Sequence, residues 1–412
     1  MGESAGNGGT NEAIEYRGSM LLARRKTFEE RFDEQIQDVL DILILGPIPP
    51  PFGGIAVHLS RLVPRLQRSG FKVGVLNHFG STAMPYVVGA LSRNPVNYYR
   101  LPGKFRAEIV HYHYSRWVHF VAVALGKGDS RARYILTLHA GSIEKHFPEL
   151  LSKKPLVAWI TRWALRRFDT VICVNPRIAS FIEHHLDRRQ RLEVVPAFLG
   201  FSTDEADEYD ATLDSFLESG RVLIVAAYGL QFLPNGQELY GLDTVVEAFS
   251  KLGHEREDLR LAIFIARQPL RGKGRRHLMR LEQRLEEAGL RERTLIVFGR
   301  PLVPAFRSNV VFVRPTRAEG DALSVREAQR AGIPVVASDV VARPRGVVSF
   351  STGNVTRLCV TLRAVLDGGI KRSPGAGRDA FDEALEDFSE RLIDIYRSER
   401  VSETAFVSKA AS

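Results

Sequence analysis

The chain of 412 residues lacks most features that mark secreted, metal-clustered or membrane-spanning proteins. Its two cysteines, Cys173 and Cys359, are too few for a disulfide framework or a cysteine metal cluster, so both are expected to pack as small hydrophobic side chains. No run of about 18 apolar residues is present, which argues against a membrane-spanning helix. The first residues are glycine-rich and polar, so no secretory signal is predicted. These absences predict a cytoplasmic protein.

The length and composition fit two globular domains. The chain is too long for one ordinary core and matches two domains of roughly 150 to 200 residues each. Its formal charge of +9 favours an anionic partner, which could be a nucleotide, a phospholipid surface or a nucleic acid. No nucleic-acid-binding motif or aromatic platform accompanies this charge, so nucleic-acid binding is not expected.

The stretch from residue 310 to residue 339 is the most informative part of the chain. Its pattern predicts a strand at 310–313, a polar loop, a helix that opens near 322–324 and stops at Gly332, and a buried strand at 334–337. Such a strand, loop, helix and strand unit is typical of a parallel α/β sheet, in which ligands bind where the strands end.

Two carboxylates bracket this loop. Glu319 precedes the helix and Glu327 lies about one turn inside it, so both side chains can point to one crevice. Between them, the amides of Leu323 and Ser324 at the helix N-terminus favour an anion such as a phosphate. This order suits a sugar hydroxyl, a diphosphate and a ribose diol. Alternatively, Glu319 only solvates the loop and Glu327 only complements the helix dipole.

The residues from 319 to 338 read Glu-Gly-x-x-Leu-Ser-x-x-Glu-Ala-x-x-x-Gly-x-Pro-Val-Val-Ala-Ser. This sequence resembles the E-x7-E signature of family 4 retaining glycosyltransferases, which have the GT-B fold. The resemblance implies an α/β protein in which two Rossmann-like parallel-sheet domains face a cleft. It also implies that Glu319 holds hydroxyls of the donor sugar, that Glu327 holds the ribose diol, and that Asp321 lies on the donor side.

Two further segments match this family. The predicted strand at 41–45 runs into a loop whose Gly53 and Gly54 let the backbone approach a ligand, although such a turn alone is a weak phosphate signal. The resemblance places these glycines across the cleft from the donor diphosphate. His139 ends the predicted strand at 133–138, where the resemblance implies contact with the donor sugar or the acceptor. The alternative is a histidine that hydrogen-bonds a loop carbonyl.

Other histidines carry weaker signals. His111 and His113 share one face of a predicted strand, but no third ligand is visible nearby, so packing is favoured over metal binding. His58 lies in the first turns of a predicted helix and is expected to have a surface or packing role. The resemblance implies a donor site without metal and without a cofactor beyond the nucleotide diphosphate sugar.

The sequence departs from the family at the start of the second domain. Family members usually carry an arginine after the first strand and a lysine at the next helix start, which hold the departing diphosphate. Here Tyr228 and the segment 239–243 stand in those places. Arg267 and Lys273 are the predicted replacements, although for any single residue of the run 271–280 a solvated helix face is the slightly favoured explanation. Further candidates are Arg271, Arg314, Arg317 and Arg343.

A basic helix predicted at 156–167 carries Trp159 and Trp163, four residues apart. Such a helix can lie on an anionic membrane, but more often the aromatic residues form a buried stripe. Peripheral contact with the inner face of the membrane is therefore a secondary expectation.

The predicted organisation has five parts. They are a flexible leader at 1–37, a Rossmann-like acceptor-side domain at 38–198, a linker at 199–220, a Rossmann-like nucleotide-sugar domain at 221–375, and a helix at 376–398 that crosses back to the first domain. The predicted function is retaining, metal-independent transfer of a sugar from a nucleotide diphosphate sugar to a glycan or lipid-linked acceptor in polysaccharide or glycoconjugate biosynthesis. The alternative is a non-catalytic relative that binds nucleotide or glycan within a polysaccharide-assembly complex.

Overall fold

A computed structural model of the chain contains two separate parallel sheets, each flanked by helices. The structure describes residues 39–79, 84–92, 94–114, 116–127, 131–139, 149–152, 154–197, 199–200, 211–319, 322–368 and 378–400, with side chains of the last segment described from 388. The predicted leader, residues 201–210 of the predicted linker and Asp321 lie outside these residues.

The first sheet has seven strands in the order β3-β2-β1-β4-β5-β6-β7. All neighbouring strands are parallel, as expected for strands joined by helical crossovers. The strands are β1 (Val39–Gly46), β2 (Val73–Asn77), β3 (Val87–Ala90), β4 (Arg106–His113), β5 (Arg133–Leu138), β6 (Thr170–Cys173) and β7 (Arg191–Val194). The helices are α1 (Gly54–Arg68), α2 (Pro95–Arg100), α3 (Trp117–Gly126), α4 (Pro155–Leu165) and α5 (Pro176–Glu183).

The second sheet has six parallel strands in the order β10-β9-β8-β11-β12-β13. The strands are β8 (Arg221–Ala227), β9 (Leu259–Ile265), β10 (Thr294–Phe298), β11 (Val310–Arg314), β12 (Val335–Ser338) and β13 (Val348–Phe350). The helices are α6 (Ala211–Glu218), α7 (Leu242–Glu255), α8 (Gly272–Glu287), α9 (Leu323–Arg330) and α10 (Val355–Leu366).

Both sheets are buried on two faces, which explains why their central strands are continuous runs of aliphatic residues. In β1, every residue from Ile42 to Leu45 is fully buried. One side of the first sheet packs on α1, and the other side packs on α3 and α4. The second sheet has the same three-layer arrangement. The two sheets, their helices and their order along the chain give the GT-B fold that the sequence predicted.

The last helix, α11 (Arg378–Glu399), follows the second domain in sequence but packs on the first sheet. Leu392 and Ile395 are buried in the same cluster as the β1 and α1 side chains. The Tyr396 hydroxyl is 2.6 Å from Nδ1 of His111 on β4. Glu399 accepts a hydrogen bond of 2.9 Å from Nε of Arg133 at the start of β5. The C-terminal helix therefore joins the second domain to the core of the first.

Within the part of the chain that the structure describes, no helix combines the length and the apolar character needed to cross a bilayer.

Candidate active site

A cavity of about 610 Å³ lies between the two domains. It is bordered by the loop that follows β1, the first turns of α1, the carboxyl ends of β8 and β9, and the start of α9. Its volume falls within the range of roughly 300–1,000 Å³ that is usual for small-molecule sites. The cavity therefore occupies the carboxyl edge of both sheets, where open α/β folds bind ligands.

Two uncapped helix N-termini line this cavity. The helix α1 begins after Gly53, and α9 begins after Ala322. In neither case does a side chain accept a hydrogen bond from the first amides, and neither first turn carries an acidic residue. Gly54, Leu323 and Ser324 all border the cavity. Because the amides and dipoles of both helices point positive charge into one space, this space suits an anion.

The glycine loop reaches across the cleft. A Cβ at Gly53 would lie 2.7 Å from the ring of Tyr228, which follows β8 in the other domain. A Cβ at Gly54 would lie at 3.7 Å from the Leu323 side chain, which is ordinary contact. A side chain at position 53 would therefore displace the Tyr228 ring, so glycine at this position permits the close approach of the two domains.

Glu327 on α9 forms an ion pair across the cleft with Arg61 on α1. The Arg61 Nη2 and Glu327 Oε1 atoms are 2.7 Å apart, and the two side chains are 4% and 7% exposed. Both residues line the cavity. Arg61 is not among the site residues predicted from the sequence, although Val57, Arg61 and Pro64 recur on one helical face behind the glycine loop. That periodicity is the signal that could have identified it.

Glu319 is buried in a network of two arginines. It accepts hydrogen bonds from Nε of Arg314 at 2.7 Å and from Nη1 of Arg343 at 2.6 Å, and the Thr316 hydroxyl donates to it at 3.2 Å. Burial acts to raise the pKa of the Glu319 carboxyl, but Arg314 and Arg343 outweigh it and hold this pKa below its usual range. The carboxylate is therefore ionised and paired, and it does not border the cavity.

The cations that border the cavity differ from those the sequence selected. They are Arg61, Arg300 and Arg314. Neither Arg267 nor Lys273 lines it. The Lys273 Nζ atom instead lies 4.1 Å from the centre of the Phe232 ring. A role of Arg267 and Lys273 at the diphosphate therefore stays a prediction.

Two of the other candidate cations are engaged in ion pairs away from the cavity lining. Arg317 makes a two-pronged contact with the Asp243 carboxylate, with nitrogen–oxygen distances of 2.8 Å and 3.0 Å. Arg343 pairs with Glu319. Of the six arginines and lysines that the sequence proposed for the diphosphate, Arg314 alone borders the cavity.

A group of histidines lies beside the cavity, at the carboxyl ends of β4 and β5. His113 ends β4 and His139 follows β5, and their Nδ1 and Nε2 atoms are 2.7 Å apart. His58, on α1, donates from Nδ1 to the Ala197 carbonyl at 2.6 Å. Burial lowers the pKa of His58 to about 4 and holds those of His113 and His139 well below the usual value. These rings are therefore neutral near pH 7.

His111 differs from its neighbours because both of its ring nitrogens have partners. They are the Tyr396 hydroxyl at 2.6 Å and the Thr137 hydroxyl at 2.7 Å. The packing role favoured for His111 agrees with these contacts. The sequence missed the partners of His113, because His58 and His139 are distant from it along the chain and only the fold brings them together.

Two family models match the chain, one in each domain. Residues 52–199 match "Glycosyltransferase Family 4", and residues 231–357 match "Glycosyl transferases group 1". The chain is also 24% identical over 321 residues to the lipopolysaccharide core biosynthesis mannosyltransferase LpsB of Rhizobium meliloti, covering 74% of this chain and 79% of the relative.

Solved structures share the fold at low sequence identity. Sucrose-phosphate synthase from Thermosynechococcus elongatus is 17% identical with a TM-score of 0.65, covering 87% of this chain and 98% of that one. Anabaena HepE in complex with UDP-glucose is 13% identical with a TM-score of 0.64, covering 87% of this chain and 99% of that one. These likenesses show the GT-B fold, and the two family models identify one glycosyltransferase family domain in each half of the chain.

Proposed function

We propose that the chain is a retaining glycosyltransferase that moves a sugar from a nucleotide diphosphate sugar to a glycan or lipid-linked acceptor. The observation that supports this most directly is the pair of uncapped helix N-termini, α1 and α9, that border one interdomain cavity. A diphosphate carries negative charge that grows on the leaving group during transfer. Fixed amides and dipoles aimed at that charge stabilise the transition state.

Each cavity residue has a role in this proposal. The amides of Gly53, Gly54, Leu323 and Ser324 hold the diphosphate, and the Glu327 carboxylate accepts hydrogen bonds from the ribose diol. Arg61, Arg300 and Arg314 supply the positive charge that the family's usual arginine and lysine would provide. In this proposal, the amides and the guanidinium groups that border the cavity neutralise both phosphates, and no metal ion is required.

Two residues outside the cavity lining complete the proposal. Glu319, oriented by Arg314 and Arg343, holds hydroxyls of the donor sugar once the donor is bound. His139 positions the sugar or the acceptor. The two arginines that pair with Glu319 lower its pKa and make it a weak base, so it is not assigned the removal of the acceptor proton. His139 is assigned only a positioning role. A departing phosphate oxygen is the group proposed to take that proton.

The relatives support the substrate classes. The name of LpsB assigns it a mannosyl transfer in lipopolysaccharide core biosynthesis, and HepE was solved with UDP-glucose. A nucleotide sugar donor and an acceptor from polysaccharide or glycoconjugate biosynthesis are therefore proposed for this chain.

A peripheral membrane contact is proposed through α4. Trp159 and Leu156 are 62% and 67% exposed on this helix, whereas Trp163 packs partly into the first core. The exposed basic residues Lys154 and Arg162 flank them. Large apolar side chains among cations suit the surface of an anionic bilayer, where a lipid-linked acceptor would reside.

A second candidate is a non-catalytic relative that binds nucleotide or glycan within a polysaccharide-assembly complex. It is favoured by the absence of the usual arginine and lysine and by the pairing of both carboxylates, Glu319 and Glu327, with arginines. Transfer or hydrolysis of a donor by the purified protein would exclude it.

The test of the donor site is calorimetric titration of the purified chain with UDP, GDP and ADP. We expect one of the three nucleotides to bind. The Glu327→Ala substitution should weaken the affinity for that nucleotide by about 10- to 100-fold, which corresponds to the loss of a hydrogen bond to a charged group. Glu286→Ala, which removes an exposed carboxylate on α8, is the matched control and should bind as the wild type does. Equal affinity of the Glu327→Ala variant, or no binding of any nucleotide, would contradict the donor-site assignment.

A further inference from the structure

Three histidines near the carboxyl ends of β4 and β5 form a set of possible metal ligands. His58, His113 and His139 each offer a ring nitrogen, and the three nitrogens lie within 4.8 Å of one another. None of the three residues lines the cavity assigned to the donor. We propose that these three imidazoles bind one divalent transition-metal ion of the zinc class.

The fold fixes the positions of the three rings. His113 and His139 stand at the ends of β4 and β5, which are paired in parallel register, and His58 lies on α1, which packs on the same sheet. The 2.7 Å between Nδ1 of His113 and Nε2 of His139 is shorter than the roughly 3.3 Å between two nitrogens bound to one tetrahedral zinc ion. This pair of nitrogens must therefore separate by about 0.6 Å, and any pair of the three that lies near the 4.8 Å limit must approach, for the rings to hold the ion.

The surrounding contacts leave coordinating atoms available. The Nδ1–H group of His58 donates to the Ala197 carbonyl, which leaves the lone pair of its Nε2 for a metal. A second partner that fixes the tautomer in this way is usual for metal-binding histidines. Nε2 of His113 is buried and has no hydrogen-bond partner in the described part of the chain. With the proton of the neutral His113 ring on this Nε2 atom, the Nδ1 atom, which faces Nε2 of His139, keeps a lone pair for the ion.

The ligand set indicates which ion and which site type. Three neutral imidazoles without a carboxylate suit zinc rather than magnesium or calcium, and three-histidine zinc sites keep a fourth position open. His139 is only partly buried, so that position can reach solvent. The positive charges of Arg61 and Arg65 act on His58. The fourth ligand is therefore expected to be an anionic oxygen such as hydroxide.

The experiment uses the full-length chain, stripped of metal with a chelator and titrated with Co²⁺ as a spectroscopic probe for zinc. The expected result is one Co²⁺ per chain, with the intense visible absorption of a four-coordinate ion that Zn²⁺ displaces. His58→Ala and His139→Ala should each weaken Co²⁺ binding by more than about 100-fold, beyond the effect of losing an outer-shell partner. His184→Ala removes an exposed histidine on the same domain and should change nothing.

Several outcomes would overturn the proposal. They are no stoichiometric Co²⁺ uptake by the wild type, a spectrum of an octahedral ion, or binding that survives both His58→Ala and His139→Ala. Circular dichroism establishes that each variant is folded, and His139→Ala is the safer of the two because its ring is partly exposed. His139 also has a role in the proposed transfer reaction, but the test does not depend on that role, since the readout is metal content and absorption rather than activity.

Discussion

At the scale of single residues, the ion pair between Glu327 and Arg61 occupies the carboxylate that is proposed to bind the ribose. The carboxylate proposed to bind the ribose is held by a guanidinium group from the other domain. A ribose diol can reach Glu327 only if Arg61 moves or shares the carboxylate. Once released, Arg61 still borders the cavity and can turn to the diphosphate. Arg61 is thus expected to oppose binding of the nucleoside part and to favour binding of the phosphates.

This dual role predicts that removal of Arg61 changes the affinity for the nucleoside diphosphate and the affinity for the nucleoside in different directions. Arg61→Ala should weaken binding of the preferred nucleoside diphosphate by about 10- to 100-fold, because one charge-assisted contact is lost. The same variant should bind the corresponding nucleoside as tightly as the wild type or more tightly, since Glu327 is released. Calorimetry with both ligands measures the difference. Arg68→Ala, at the exposed end of the same helix, is the control, and equal losses for both ligands would refute the role.

The roles predicted for single residues stay predictions, but the position of the helix that carries Leu323 and Ser324 agrees with the sequence pattern. The amides of Leu323 and Ser324 lie where the helix start predicts them, because a helix N-terminus is set by neighbouring residues. The partners of Glu327 and His113 come from other elements, which no spacing in the sequence reveals. The same limitation explains why Arg267 and Lys273 were selected instead of Arg61.

At the scale of elements, the sequence predicted the unit around the E-x7-E stretch closely. The expected strand at 310–313 is β11 (Val310–Arg314), and the expected helix from 322–324 to Gly332 is α9 (Leu323–Arg330). Aliphatic runs and a terminating glycine are local signals, so they predict strands and a helix end without knowledge of the fold. The segment between β2 and β4 carries weaker local signals, because β3 is a four-residue edge strand and α2 is a six-residue helix.

The loop that precedes α7 contains a carboxylate with an unusual environment. The Glu238 carboxylate is 1% exposed and accepts hydrogen bonds from the Tyr240 and Leu242 amides at 2.8 Å and 3.0 Å. Burial is the largest effect and raises the pKa of Glu238 to about 7 despite these two bonds. The folded protein therefore keeps a proton on Glu238 over a pH range in which the unfolded chain has lost it.

This difference predicts how stability depends on pH. Since the folded-state pKa is raised, the contribution of Glu238 is fully present below about pH 4.5 and is lost as the pH rises through 7, by about 3 kcal/mol in total. The free energy of unfolding of the wild type, minus that of Glu238→Gln, should therefore fall between pH 5 and pH 7.5. Urea unfolding of both proteins across this range measures it. Parallel curves would contradict the pKa, and Glu286→Gln serves as the exposed control.

At the scale of the whole molecule, α11 and the cleft contacts tie the two domains together. The hydrogen bonds of Tyr396 and Glu399 anchor the C-terminal helix to β4 and β5, and Arg61 and Glu327 join α1 to α9. Alternating strands and helices predicted the two parallel sheets. The order of the strands in each sheet and the contacts between the two domains could not be predicted from periodicity. Both depend on contacts between elements that are far apart along the chain.

Net charge is also a property of the whole molecule, and at +9 it attracts the chain to anionic surfaces without selecting a face. In the proposed membrane contact, the exposed apolar side chains Trp159 and Leu156 of α4 select the face. We propose that charge attracts the protein to the bilayer and that burial of these side chains orients it. The two contributions can be separated, since salt screens the first and substitution removes the second.

We therefore expect the full-length chain to bind vesicles of phosphatidylglycerol and phosphatidylcholine, and to bind pure phosphatidylcholine vesicles weakly. Trp159→Ala should reduce binding to the anionic vesicles by about tenfold or more, because burial of a large apolar side chain is lost. Leu270→Ala is the matched control, since Leu270 is 79% exposed on the second domain and should not enter the bilayer. Co-sedimentation at low and high salt measures both effects. If Trp159→Ala binds as the wild type does, or if Leu270→Ala weakens binding equally, then the attraction is general electrostatics and α4 is not the contact surface.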